Sequence, residues 1–242
     1  MSDPKARLKA LGLHGLAARF GEIDGEAWLE KVLDIEETER KRRSFERRTR
    51  DARVGKVKDM ARFDWKWPQK IDQGVVETLF RLEFIAEGAN VVLMGPNGVG
   101  KTMIAKNLTH AALAKGRSAR FVTAAGMLTE LAAQGGGRSL DLALAKFARP
   151  SLLAIDEVGY LSYDARHADL LFEVVSRRYD QERSLIITTN KAFGEWAEVF
   201  PNASSVVALV DRVVHRAEVV TIKGESYRRK EAEERARARR EK

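Results

Sequence analysis

The 242-residue chain contains no cysteine, which excludes both a disulfide framework and a thiolate metal site. No stretch reaches the roughly 18 consecutive apolar residues that a membrane span needs. The opening segment, MSDPKARLKA, lacks the apolar core of a signal peptide. The expectation is a soluble, cytoplasmic protein with no membrane partner. Its histidines, His14, His110, His167 and His215, show no metal-ligand spacing and read as structural. There is no internal repeat, and the only low-complexity stretch, QGGGRS at 134–139, reads as a loop.

At 44% hydrophobic residues the chain can bury a full core, as one large domain or a domain with an appendage. The net charge of +8 is unevenly placed. Residues 40–58 hold ten Lys/Arg against two Asp/Glu, and residues 223–242 hold nine against five. Residues 1–39 are acidic, with five against nine, and residues 59–222 balance at nineteen each. A basic flank beside a neutral middle suggests a polyanion, most simply nucleic acid; a solvated helix is the plainer alternative. Arg40, Arg43, Arg47 and Arg50 fall at helical spacing on one face, with Lys41 and Arg48 beside it and Arg53 beyond. Such a face tracks phosphates without reading sequence. Phe45 is the lone aromatic of the stretch, so base stacking is not offered.

Leu8, Leu11, Leu13, Leu16 and Phe20 sit mostly at helical spacing, and Trp28, Leu29, Val32 and Leu33 begin a second helix that runs toward the basic stretch. Gly55 and then FDWKWP, ending at Pro68, mark a boundary, with Trp65 and Trp67 expected to pack the linker against the core of the next domain, near the adenine of a bound nucleotide, contact with nucleic-acid bases being the alternative. Beyond it, apolar runs at 90–94, 120–123, 152–155, 185–189 and 218–222 read as strands. Helices starting near Gly100, Ala125, Leu140, Asp164, Phe193 and Ser204 alternate with them, which implies βαβ units and a mostly parallel α/β sheet. The expected divisions are a helical, basic N-terminal domain at 1–67, a nucleotide-binding domain at 68–228 and a charged tail at 229–242.

The stretch GPNGVGKTM, from Gly95 through Pro96, Asn97, Gly98, Val99, Gly100, Lys101 and Thr102 to Met103, comes after an apolar run and opens a helical one. It satisfies the glycine-rich phosphate-loop pattern. Glycines let successive N–H groups converge on phosphate oxygens, and the next helix offers its positive N-terminus. Lys101 reaches the β- and γ-phosphates of a nucleoside triphosphate and Thr102 ligates Mg²⁺. In SLLAIDEVGYL, residues 151–161, a buried strand ends in two carboxylates that project differently. Asp156 suits the metal and Glu157 suits a general base toward water; two acids at a helix N-terminus is the structural alternative. Asn190, closing SLIITTN, can touch the γ-phosphate or orient the attacking water, or it can cap the next helix. Guanine recognition through N-K-x-D needs aspartate where Phe193 stands, so ATP is the expected nucleotide.

GPNGVGKT, LLAIDEVGYLSYDARHADLLFEVVSRRYD, IITTNKAFGEWAEVFPNASSVVALVDRVVH and GESYR together resemble the IstB-type transposition helper ATPases, relatives of the DnaC helicase loader within the AAA+ superfamily. The resemblance extends over nearly the whole chain. It implies a five-stranded parallel sheet between helices, preceded by a small all-α domain. It also implies a homo-oligomer with ATP at subunit interfaces, and double-stranded DNA and a transposase as partners. On this resemblance the trans-acting arginine finger maps onto Arg212, or failing that Arg216, and a nucleotide-sensing arginine onto Arg228. DNA-contacting helices map onto 125–147, with Arg138 a candidate. Many relatives carry threonine where this chain has Val99, a position that contributes mainly backbone N–H. The implied function is Mg²⁺-dependent ATP hydrolysis in a helper that oligomerises on DNA, recruits the transposase and disassembles on hydrolysis. The alternatives are a replicative helicase loader and a DNA-binding architectural module that holds ATP without turnover.

Overall fold

The computed structural model describes residues 3–160, 164–200 and 204–240. The chain forms two compact units, Met1–Arg50 and Asp51–Lys242.

In the first unit, Asp3 accepts a hydrogen bond from Lys5 N–H and Pro4 occupies the first turn of α1 (Pro4–Ala10), an arrangement that satisfies the free donors of a helix start. The helical pattern of residues 5–20 is not continuous. Gly12 takes φ 67°, so the chain turns and restarts as α2 (His14–Ala18). The long helix α3 (Leu29–Ala52) carries the basic stretch. Leu8, Leu11, Ala17, Leu29 and Leu33 form this unit's core. Above it, Arg7 bonds Glu30, Asp34 and Glu37 of α3 at 2.6, 2.6 and 2.7 Å. These acids lie on one face, at i, i+4 and i+7. The guanidinium holds the Glu37 carboxyl below the usual carboxylate range.

The second unit begins with the linker and two short helices, α4 (Gln73–Leu79) and α5 (Glu83–Ala86). Then strands and helices alternate: β1 (Asn90–Met94), α6 (Lys101–Ala114), β2 (Ala119–Thr123), α7 (Ala124–Ala132), α8 (Gly137–Ala148) and β3 (Leu152–Val158). They continue as α9 (Ala165–Asp180), β4 (Ser184–Thr189), α10 (Trp196–Val199), α11 (Val206–Val214), β5 (Ala217–Thr221) and α12 (Tyr227–Arg240). The strands form one sheet in the order β2-β3-β4-β1-β5, and every pairing is parallel. Helices cover such a sheet on both faces, which is why its strands read as unbroken apolar runs. Val91, Val92, Leu93, Leu152, Leu153, Ile155, Ile186 and Ile187 are fully enclosed.

One buried charge helps to hold the amino-terminal ends of two central strands. Arg178 of α9 is 0% exposed and donates to the carbonyls of Phe147, Ala148, Pro150, Ser151 and Ser184. It thereby ties the end of α8 to the starts of β3 and β4. Burial pushes its pKa down to about 9. A planar five-donor guanidinium suits a set of carbonyls pointing inward from several chain ends.

The compact units divide after Arg50, whereas the sequence reading divides the chain after residue 67. Residues 51–67 belong to the larger unit because its polar and aromatic groups bind them. Asn107 donates to Lys58 O at 2.8 Å and Trp67 Nε1 to Glu225 O at 2.9 Å. Next to them, Lys70 and Lys223 exchange backbone hydrogen bonds at 3.1 and 2.8 Å. The expected tail at 229 likewise starts inside α12, which begins at Tyr227.

Candidate nucleotide site

The loop between β1 and α6 lies where ligands bind in open parallel sheets, beyond the carboxyl ends of the strands. Gly98 and Gly100 adopt φ 83° and 102°, a region that disfavours side chains. A Cβ at Gly98 would also collide with the Ser226 hydroxyl, and one at Gly100 with the Phe63 ring. Lys101, the first residue of α6, is 4% exposed and donates to the carbonyls of Gly95 and Pro96 at 2.6 and 2.7 Å. Burial lowers its pKa to about 8, and the positive Arg228 acts in the same direction, against Asp156 and Glu157. Beside it, Thr102 Oγ1 donates to Asp156 Oδ1 at 3.0 Å.

Asp156 and Glu157 do project differently, but simple strand alternation is not the cause. Ile155 pairs with Ile187 and Val158 with Thr189, so Asp156 and Glu157 together face Thr188. This two-against-one arrangement is a β-bulge. Glu157 takes φ 65°, a conformation that costs a non-glycine residue roughly 1–3 kcal/mol. Asp156, 3% exposed, turns toward Thr102, and Glu157 lines an open cavity of about 640 Å³.

That cavity collects most of the expected nucleotide-site residues. Gly98, Val99, Gly100, Lys101, Thr102 and Met103 form its floor, with Glu157 and Arg228 in its wall. Gly95 and Pro96 hold the Lys101 amine from behind the floor, and Asn97 is exposed at the loop tip. Asn190 comes directly after β4, and its buried Oδ1 has no hydrogen-bond partner among the described residues. Neither Arg212 nor Arg216 is in this cavity. Both line a separate depression with Tyr179 and Glu182, where Arg212 lies 4.6 Å from the Phe172 ring centre.

Sequence reasoning missed several residues in and around this wall. Tyr160 sits 3.4 Å from the Lys101 amine. Lys230 of α12 stands over the Trp67 ring at 4.4 Å and pairs with Asp64 at 3.2 Å. Trp67 meets Tyr227 edge-on at 6.1 Å, while Trp65 packs on Phe63. The FDWKWP linker is legible as aromatic, but its partners lie about 160 residues away in the chain, beyond the reach of local pattern. Thr188 was also missed, although two consecutive threonines before Asn190 are a visible departure from an apolar strand.

Thr102 and Asp156 offer hard oxygen donors at hydrogen-bond distance, which fits Mg²⁺ held by few protein ligands and substrate phosphates. Among the described residues no group of three or more His, Cys, Asp or Glu could cage a metal ion.

The candidate DNA residues are elsewhere. On α3, Arg40, Arg43, Arg47 and Arg50 are exposed and Arg48 is half-buried. Part of this charge is compensated along the helix: Arg40 pairs with Glu36 at 2.5 Å, Arg43 with Glu36 at 3.6 Å, and Arg42 with Glu39 and Glu46 at 2.9 and 2.6 Å. Arg53 is exposed just past the helix, at φ 53°. Arg138 is exposed too, but it stands in the first turn of α8 and not in a loop. Gly136 and Gly137, at φ 92° and 55°, turn the chain early enough for the helix to start three residues before Leu140. No helix among the described residues is long and apolar enough to cross a membrane.

A glycine loop joining the first strand to a helix of a five-stranded parallel sheet, with an acidic pair on β3, one strand removed from β1, defines a phosphate-loop nucleotide-binding protein. The chain belongs to the family described as IstB-like ATP binding protein, which matches residues 6–235. It is 35% identical over 210 residues to an ATP-binding protein named for insertion sequence IS21 from Pseudomonas aeruginosa, covering 87% of this chain and 79% of that one. A counterpart named for insertion sequence IS5376 from Geobacillus stearothermophilus is 33% identical over 204 residues, covering 84% and 81%. Among solved structures, the DnaC helicase loader matches at TM-score 0.52 and 22% identity, over 64% of this chain and 93% of that one. DnaI matches at TM-score 0.54 and 18% identity, over 63% and 86%. A DNA replication initiation factor matches at TM-score 0.52 and 18% identity over 62% of this chain, which spans 46% of that protein. These structural likenesses establish the fold.

Proposed function

We propose that the chain is a Mg²⁺-dependent ATPase that binds double-stranded DNA and assists a transposase of its insertion sequence. The observation that carries this reading is the convergence of Lys101, Thr102, Glu157 and Arg228 on one cavity, with Asp156 bonded to Thr102 behind it. Lys101 exchanges its two neutral loop carbonyls for β- and γ-phosphate oxygens, gaining a charge partner for its buried amine. Thr102 and Asp156 are the protein's donors to Mg²⁺, which when bound supplies positive charge beside the phosphates. Glu157 takes the proton of the attacking water as general base. Asn190 presents its amide to that water or to the γ-phosphate, consistent with an Oδ1 that no protein group engages among the described residues. Arg228 senses the nucleotide within its own subunit. Arg212, remote from the subunit's own loop, acts on the nucleotide of a neighbouring subunit, with Arg216 as the other candidate.

In this reading ATP supports oligomers on DNA through avidity, the exposed arginines of α3 and Arg53 track the phosphate backbone, and Arg138 adds a contact from α8. The oligomer recruits and stimulates the transposase, and hydrolysis disassembles it. The family membership and the insertion-sequence names of the relatives support a transposition role over helicase loading.

Phosphate release is measured with and without duplex DNA for the wild type, for Arg212→Ala, and for Arg212→Ala mixed with Lys101→Ala. The expectation is DNA-stimulated turnover, its loss in Arg212→Ala, and partial recovery on mixing, because one partner supplies an intact loop and the other an intact finger. ATP binding without turnover in the wild type would favour an architectural module. No recovery despite verified co-assembly would move the finger to Arg216 or into one subunit. Capture of a replicative helicase and not of the cognate transposase would favour a loader.

A further inference from the structure

The bulge in β3 has a single residue opposite it on β4, and that residue carries a hydroxyl. Thr188 is 1% exposed. Its Oγ1 accepts a hydrogen bond from Glu157 N–H at 2.9 Å and donates one to Asp156 Oδ1 at 2.5 Å. A hydroxyl has one proton to give and lone pairs to receive, and here both capacities are used on the two bulged residues. Thr102 donates to the same Asp156 oxygen at 3.0 Å. A continuous chain of hydrogen bonds therefore runs from the phosphate loop through Asp156 and Thr188 to the backbone of Glu157.

This chain accounts for the position of the base. In a bulge the extra residue loses its ladder partner, so Glu157 N–H needs another acceptor, since a buried unpaired donor is costly. Thr188 supplies it. The left-handed backbone of Glu157, at φ 65°, persists only where its surroundings over-determine it, and it is this backbone that sends the carboxylate into the cavity with Lys101. We infer that Thr188 is a positioning residue for hydrolysis: its hydroxyl locks the bulge and so aims Glu157 at the attacking water, while coupling that aim to Thr102 and Asp156. The inference rests on the hydrolytic reading above.

The test compares wild type, Thr188→Val and Thr188→Ser in steady-state ATP hydrolysis with duplex DNA. Affinity for a fluorescent ATP analogue and melting temperature are measured in parallel. Valine keeps the shape and β-branching and removes the hydroxyl; serine keeps the hydroxyl. Thr188→Val is expected to lower kcat on the order of 100-fold, the penalty of a misplaced group, with KM and analogue affinity near wild type. Thr188→Ser is expected to restore most of kcat. If the valine variant melts below the assay temperature, Thr188→Ala is read in the same way. An unchanged kcat in the hydroxyl-free variant overturns the inference and leaves the ATPase reading standing. Parallel loss of kcat and nucleotide affinity, unrestored by serine, also overturns it and marks Thr188 as a packing residue. A wild-type chain that binds the analogue without turnover instead overturns the hydrolytic reading, and the inference with it.

Discussion

Two regions of this chain concentrate charge, and they do so in opposite ways. Around the phosphate loop, Lys101, Asp156 and Glu157 come from distant parts of the chain and are held by particular hydrogen bonds and backbone turns. Along α3 the charges are many, local in sequence and exposed, and Arg40, Arg42 and Arg43 are paired with Glu36, Glu39 and Glu46 of their own helix. A buried charge acts through one geometry and is weakly screened, whereas an exposed one acts through number and is salt-dependent. Substitutions in the first region should therefore have large, all-or-none effects. Those in the second should be graded and vary with ionic strength.

The largest contrast is expected at the loop. Lys101→Ala should weaken ATP binding by roughly 100-fold or more, as loss of a buried charge partner does, checked by calorimetric titration. Glu157→Gln should keep nucleotide affinity and reduce turnover by about 100- to 10,000-fold, the range of general-base catalysis, leaving ATP-stabilised oligomers in sedimentation. Equal loss of binding in both variants would remove the distinction between phosphate contact and base.

A smaller effect stems from the buried lysine. Burial lowers Lys101 to about 8 from an ordinary 10.5, so its charge is lost as pH rises through about 8. ATP affinity should fall from pH 7 to pH 9.5, by at most about tenfold per pH unit for a single proton. The contribution of this group to fold stability has the opposite sign. Between about 8 and 10.5 the unfolded chain binds more protons than the folded one, so the burial penalty eases as pH rises. Opposite pH trends in affinity and in the lysine's contribution to stability are the signature to seek, with Lys101→Met as the control that removes both.

The smallest effect, and the one that sharpens the comparison, lies on α3. Arg47 and Arg50 have no ion-pair partner among the described residues, unlike Arg40, Arg42 and Arg43. Replacing Arg47 and Arg50 by alanine should flatten the salt dependence of duplex binding by about two units, near 0.9 per phosphate contact. Replacing Arg40 and Arg42 should flatten it less, because guanidiniums already engaged by Glu36, Glu39 and Glu46 neutralise fewer phosphates. Anisotropy at several salt concentrations reads both, and equal slopes in the two double variants would deny the helix its division into free and compensated arginines.

The same contrast governs what could be read in advance. The phosphate loop and the five strands, β1 included, are written in local pattern: glycine spacing, apolar runs and helical alternation act over a few residues, so the α/β class and the loop were legible. The projection of Asp156 and Glu157 was legible as an outcome but not as a cause, because a bulge depends on what the neighbouring strand places opposite it. The break at Gly12 and the early start of α8 depend on left-handed glycines that composition alone does not locate. Lys230 meets Trp67 and Asp64, which line the cavity, from the opposite end of the second unit, and nothing in either segment names the other.

By itself the sequence determined the parallel α/β core, the phosphate loop with Lys101 and Thr102, the acidic pair, and the uneven placement of basic charge. All of these rest on short-range periodicity and the conformational limits of glycine. Only the tertiary structure decided that residues 51–67 belong with the larger unit and that Arg212 and Arg228 lie in different hollows. It also decided that Thr188 faces the bulge and that half of the basic helix is answered by its own acids. Each of these depends on which side chains meet after the chain has folded, and on burial that fixes one geometry where the sequence leaves several open.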